Sequence, residues 1–413
     1  MAPHIITASI NDIARNEWGR LISSLVRSIG DFQLAEDSLQ EAFTSALNHW
    51  QKNGLPKSPN AWLLQVARRK AIDHIRRDVN FKSKQAEIGH LIEIENSMEP
   101  DAEDHEIPDE RLRMIFTCCH PSLEKQSALA LTLRTLGGLK TDEIASAFVA
   151  KESAVAQRLV RAKSKIKLAG IPYKVPEPEE WDERLGLVLA VIYHIFNEGY
   201  SANSGDSQIR KSLSDEAIRL AEILNQLKPE EPEIEGLLAL LLLHDSRREA
   251  RLDENDFMVP LEEQDRSHWD REKINTGIQM LKAALVRGKN GPYQIQAAIS
   301  AVHAQAANYD ETDWHQIILL YDALYDINPN TVVLLNKAVA VSYLEGPESG
   351  LRLIEQLEND LKTYQPFHAA KADLLRRMER FSAAVASYNR AIELTRNAKD
   401  KAFLQKRLKQ FAN

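Results

Sequence analysis

Ala304, Ala338 and Ala372 stand 34 residues apart, and the same step joins Gly350 to Ala384, Ile354 to Tyr388 and Leu357 to Ala391. A small–small–large–small pattern at that period leaves little choice of fold. Each unit is a pair of helices that cannot bury its apolar face alone, so the units must stack. Agreement is good across the last two units and partial in the first, and Pro329 falls near the end of one unit, as the pattern expects. Stacked helix pairs leave a concave surface suited to a protein or peptide partner.

A second stretch organises the front of the chain. Ser58–Asp78, SPNAWLLQVARRKAIDHIRRD, reads as one amphipathic helix opened by Pro59. Trp62, Leu63, Val66, Ala67, Lys70, Ala71 and His74 recur at three- and four-residue steps. Arg68, Arg69, Arg76 and Arg77 take the other side. Such a helix can face a nucleic-acid strand, stacking on bases and neutralising phosphates, or it can be a solvated basic surface.

The distribution of charge bears on that choice. The chain has a net charge of −8, but residues 1–170 sum to +1 and the remainder to −9. Residues 68–84 carry seven basic and two acidic side chains, and residues 85–110 carry ten acidic ones and no Lys or Arg. Residues 153–167 then carry five basic side chains and no acidic one. Two basic patches on an acidic tether are the pattern expected of two small nucleic-acid contacts on one chain.

In chain order, residues 12–30 predict a first helix closed by Gly30. Asp31 opens a second, with Leu39, Ala42, Phe43, Ala46, Leu47 and Trp50 inward and Glu36, Asp37, Gln40, Glu41 and Ser45 outward. With the basic helix these make a small helical domain over residues 10–84. Residues 85–108 form an acidic linker. Residues 109–170 form a second helical domain. There Ile144, Ala145 and Phe148 line a short helix, and Val155, Leu159 and Ile166 are the inner face of the next. Ser153, Gln157, Arg158, Arg161, Lys163 and Lys165 form its outer face, giving a helix-turn-helix with a basic recognition helix. Residues 171–180 read as a Pro-rich hinge. Residues 181–413 read as an apolar and acidic helical extension, with tetratricopeptide-like repeats from about residue 297. Within it, Asp245–Asp270 is rich in charges of both signs and reads as an exposed loop or helix–loop segment.

Other chemistries find little footing. Cys118 and Cys119 are the two cysteines; adjacent to each other, they form no disulfide framework and suggest a reducing compartment. Cys118, Cys119 and His120 cannot all reach one tetrahedral ion, so buried small side chains are expected there rather than a metal. His194 and Glu198 share a helix face without further ligands. The expectation is no metal, no cofactor, no catalytic residues and no enzyme. The N-terminus shows no export signal, and Leu185–Tyr193 and Leu237–Leu243 are too short to span a bilayer. A cytoplasmic, all-α protein without a membrane segment is expected.

The series AEDSLQEAF and NAWLLQVARRKAIDHIRR resembles region 2 of extracytoplasmic-function sigma factors of bacterial RNA polymerase, and GLKTDEIASAFVAKESAVAQRLVRAKSKIKLAG resembles their region 4. The resemblance implies that Asp37, Gln40 and Glu41 dock on the clamp helices of the β′ subunit. It places Trp62, Arg68, Arg69, Arg76 and Arg77 on or beside the minus-ten promoter element, with Asp73 an intradomain partner. The family usually has Asn where this chain has Arg69. By the same resemblance, region 4 reads the minus-thirty-five element, with Gln157 and Arg158 at base edges and Ser153, Arg161, Lys163 and Lys165 nearby. The family's turn Gly and capping Ser fall here at Val149 and Lys151. The DERL…FNEGYSA and repeat segments resemble a subgroup whose C-terminal helical extension serves function or regulation. The implied partners are the RNA polymerase core, through its β and β′ subunits, and promoter DNA. The other reading is a stand-alone helix-turn-helix regulator whose repeat domain is a sensor, and the AEDSLQEAF docking face argues against it.

Overall fold

A computed structural model describes residues 3–82, 110–148, 150–200, 207–254, 258–395 and 398–410. The acidic linker, Val149 and the last three residues lie outside the described residues. Within them the fold is all-α, and the single extended pairing is an isolated bridge between Leu252 and Met258. The chain forms two compact units, Met1–His194 and Ile195–Asn413.

The first unit begins with α1 (Pro3–Asn16), α2 (Trp18–Ile29), α3 (Phe32–Asn53) and α4 (Pro59–Lys82). The helix expected over residues 12–30 is therefore two helices. No Gly or Pro marks the joint at Glu17, and buried Ile6 and Ile10 extend the helical pattern upstream of it. Gly30 ends α2 in the left-handed region at φ 74°, and its N–H donates to Val26 O. Asp31 caps α3, its carboxylate accepting from the N–H groups of Gln33 and Leu34.

Leu39, Ala42, Ala46 and Trp50 of α3 and Leu63, Ala67 and Ala71 of α4 are completely buried, and the two helices pack together. Each large side chain so buried contributes on the order of 2–3 kcal/mol. Leu47, expected inward, is 37% exposed. Glu36, expected outward, is buried. Glu36 is covered because Arg134 and Lys163, from the helices that follow, reach it.

Those are α5 (Arg111–Cys118), α6 (Lys125–Thr135), α7 (Thr141–Ala147) and α8 (Glu152–Leu168). Val155, Leu159, Ala162 and Ile166 bury the inner face of α8, and Ile144 and Ala145 that of α7. Cys118 and Cys119 lie in the core, against the hydroxyls of Thr135 at 3.2 Å and Thr132 at 3.7 Å. Burial pushes both thiols up, Cys119 to about 12. α2 approaches the end of α6 so closely that a Cβ on Gly19 would lie 2.8 Å from Leu136 O. Gly138, at φ +68°, lies under the Trp18 ring. Residues 171–180 are not free of this unit, since Tyr173 Oη donates to Ser23 O at 2.9 Å.

α9 (Trp181–Tyr200) leads into the second unit, which holds α10 (Ser207–Leu227), α11 (Pro232–Asp245), α12 (Arg271–Val286) and α13 (Pro292–Gln305). It continues with α14 (Trp314–Ile327), α15 (Thr331–Leu344), α16 (Pro347–Glu355), α17 (Glu358–Leu361), α18 (Gln365–Arg377), α19 (Phe381–Leu394) and α20 (Ala398–Lys409). α11 is apolar all round and buried all round, Leu237–Leu243 included. Ala304, Ala338 and Ala372 are each no more than 3% exposed, on α13, α15 and α18. α15 and α16 approach so closely that a Cβ on Gly350 would stand 2.8 Å from Ala338 O. That close approach is the physical content of the 34-residue repeat. The charged segment Asp245–Asp270 departs from expectation. Far from being wholly exposed, it buries Asp245, Gln264, Arg266 and Trp269.

Candidate nucleic-acid interface

α4 carries the first cationic face. Arg69, Arg76 and Arg77 are exposed, and Asp73 is exposed beside them. Arg68 is not on that face, because its guanidinium is half-buried with Nε unpartnered, and burial pushes its pKa down. Trp62 is half-buried. His49 stacks on it at 5.5 Å between ring centroids, and Trp50 meets it edge-on at 5.3 Å. The ring is therefore held in place from one side by the core of the domain.

On α3, Asp37 and Gln40 are exposed, with Asp37 accepting from Gln33 Nε2 at 2.8 Å. Glu41 is already engaged. His74 Nε2 lies 2.7 Å from one carboxylate oxygen and Lys70 Nζ lies 3.5 Å from the other, and with the His74 contact foremost these hold Glu41 below its ordinary pKa. A partner that used Glu41 would have to displace His74 and Lys70 of α4.

α8 carries the second cationic face. Ser153, Gln157, Arg161 and Lys165 are exposed and Arg158 is half-exposed. Lys163 faces elsewhere. It is 13% exposed and donates to Glu36 Oε2 at 2.6 Å and to Gln33 Oε1 at 3.0 Å, so it is not placed to meet a phosphate. The other Glu36 oxygen takes Arg134 of α6, and Lys167 Nζ reaches Asp31 Oδ2 at 2.7 Å. Burial alone would raise the Glu36 pKa, but the charges of Lys163 and Arg134 outweigh it and hold the carboxyl below its usual range. Asp31 behaves likewise, its burial outweighed by Lys167 and the cap N–H groups.

These pairs clasp the helix-turn-helix to the α3 face. They join positions 98 to 136 residues apart, so no spacing in the sequence could have signalled them. Among the described residues no group of three or more His, Cys, Asp or Glu could hold a metal ion, and no helix is long and apolar enough to cross a membrane.

Residues 15–80, which span the α4 face, match the family described as Sigma-70 region 2, and residues 113–166, which contain the helix-turn-helix, match Sigma-70, region 4. The chain belongs to the sigma-70 family of sigma factors. Region 2 followed by region 4 is the pair typical of the extracytoplasmic-function type. The extension of this sigma factor matches a family of unknown function over residues 184–285. An uncharacterized protein of Rhizobium meliloti (strain 1021) is 41% identical over 393 residues, covering 95% of this chain and 93% of the relative. The match to that relative therefore runs through the extension as well.

Proposed function

We propose that this sigma factor binds core RNA polymerase through the exposed acidic side of α3, with Asp37, Gln40 and Glu41 docking on the β′ subunit. Arg69, Arg76 and Arg77 of α4 then neutralise the melted minus-ten strand, and Trp62, braced by His49 and Trp50, offers its remaining surface to an extruded base. Extruding a base costs a few kcal/mol, and aromatic stacking returns about 1–3 kcal/mol of it. Arg68 acts from within the domain, supporting the position of α4. On α8, Gln157 and Arg158 read base edges of the minus-thirty-five element while Ser153, Arg161 and Lys165 hold its backbone.

The observation that carries this reading is that α4 and α8 each keep an exposed cationic face in a unit where Arg134, Lys163 and Lys167 are tied to carboxylates. Lys163 joins the DNA contact only when the clasp on Glu36 opens. A promoter-specificity subunit of this kind works in the cytoplasm, and its activity is positioning, without chemistry of its own.

The test is transcription by purified core polymerase, with and without this protein, on a random promoter library. Specific start sites that depend on the protein are expected. The Asp37→Arg/Glu41→Arg variant should lose core binding, whereas Arg76→Ala/Arg77→Ala should lose open complexes with core binding kept. Failure to co-purify with core would favour a stand-alone regulator and sink the sigma-factor mechanism.

A further inference from the structure

One segment of the second unit holds three arginines that form no ion pair among the described residues. Arg247 and Arg251 follow α11, and Arg266 precedes α12, in the segment whose sequence suggests mere exposed charge. Among the described residues none of the three lies within ion-pair distance of a carboxylate. Asp400 and Glu311 act only weakly, on Arg251 and Arg266 respectively. By contrast Arg248, between Arg247 and Arg251 in sequence, is paired to Asp215 and Asp245. Pairing therefore differs between neighbouring arginines of one segment.

Arg251 and Arg266 are each held by an aromatic ring and by backbone carbonyls, and Arg247 by a ring alone. The Arg251 guanidinium carbon stands 3.6 Å over the Tyr200 ring, and its Nη1 donates to Tyr200 O at 2.6 Å. The Arg266 carbon lies 4.8 Å over the Trp269 ring, and its Nη1 donates to His303 O at 2.6 Å and Ala306 O at 2.5 Å. Arg247 lies 5.9 Å over that same Trp269 ring, so the two guanidinium groups are no further apart than those two distances together. Stacking on an aromatic face is the way a guanidinium is preorganised without spending its donors on an acid.

Donors are left over. Arg266 is 8% exposed, and its Nη2 is buried with no hydrogen-bond partner. His303 Nδ1 is buried and unpartnered as well. Burial, reinforced by the charge of Arg247, pushes His244 down to about 3 and His303 to about 4, so both imidazoles are neutral near pH 7. His303 can therefore present an N–H without adding charge. An unsatisfied buried donor costs about 1–3 kcal/mol, more when charged, and mutual repulsion of the guanidinium groups adds to it. Sites that accept such a cost are commonly binding sites, where a ligand repays it.

We propose that Arg247, Arg251 and Arg266, with His303, form an anion-binding site that takes the phosphate or carboxylate group of a small molecule. The guanidinium forks match either oxyanion in two-point geometry, and the leftover Nη2 of Arg266 is the buried donor that anchors it. The proposal does not depend on the transcription mechanism, and its test needs no polymerase.

The experiment is thermal unfolding of the full chain with inorganic phosphate or citrate, each titrated against chloride at equal ionic strength. A saturable rise in stability is expected with one or both oxyanions and not with chloride; which of the two acts distinguishes the phosphate from the carboxylate source. Arg247→Gln is the informative variant, because Arg247 makes no hydrogen bond among the described residues and stands amid like charges. It should be as stable as the parent chain or more stable without ligand, and should weaken oxyanion binding about tenfold or more. Arg352→Gln, at an exposed position of α16, should change neither property. A response no greater than that to chloride, an equal response in parent and Arg247→Gln, or loss of stability in ligand-free Arg247→Gln would each overturn the assignment.

Discussion

The clasp between region 4 and α3 yields the most demanding prediction, for Glu36→Gln. Glu36 is 7% exposed at its side chain, while Arg134 and Lys163 are 15% and 13% exposed. Removing the carboxylate leaves two largely buried cations facing a neutral amide. Breaking a buried pair costs about 3–5 kcal/mol, and the residual exposure of the cations argues for about 3. Gln preserves side-chain volume, so little of that loss is packing. Native-state hydrogen exchange read by mass spectrometry isolates the amides of α8 from those of the second unit. Opening made about 3 kcal/mol easier lowers their protection about a hundredfold. The pH dependence adds a second readout. Because the folded-state pKa of Glu36 is depressed, its stabilisation is complete above the unfolded carboxylate pKa and is lost as pH falls through the folded value. Glu36→Gln should therefore flatten the acid limb of the stability curve. A loss of protection under about fivefold, with an unchanged acid limb, is what an exposed pair would give and would refute the reasoning.

Gly350→Ala places a Cβ 2.6 Å from Ser342 Cβ and 2.8 Å from Ala338 O. The gain in helix propensity is about 1 kcal/mol and the overpacking cost about 1–3, so a net loss of roughly 1 kcal/mol should appear as a lower urea midpoint; a higher one would contradict the packing account. The buried thiols of Cys118 and Cys119, both pushed up by burial, should resist a disulfide reagent at pH 8 in the native protein and react fully in denaturant. Rapid native labelling would show that the α5–α6 contact opens.

The folded elements were largely legible because their signals are local. Asp31 capping α3, Gly30 ending α2 and the apolar strips of α4 and α8 follow from a few neighbouring residues. The exposed arginines of α4 and the exposed Gln157, Arg161 and Lys165 also stand where helical spacing puts them. Arg68 and Lys163 do not behave as their neighbours do. A helical wheel assigns a direction to each side chain, but it does not say what occupies that direction. For Arg68 it is the interior of its own domain, and for Lys163 it is Glu36.

The same distinction holds for the 34-residue repeat. Small residues at a fixed period are enough to put Ala304, Ala338, Ala372 and Gly350 where helices of a stack touch. Only tertiary structure decided which charges are spent and which are kept. Arg134, Lys163 and Arg248 found carboxylates, whereas Arg247, Arg251 and Arg266 were set on aromatic rings and backbone carbonyls. The physical reason is range: helix formation is settled within a few turns of chain, but the partner of a buried charge comes from whatever segment the fold brings within hydrogen-bonding distance.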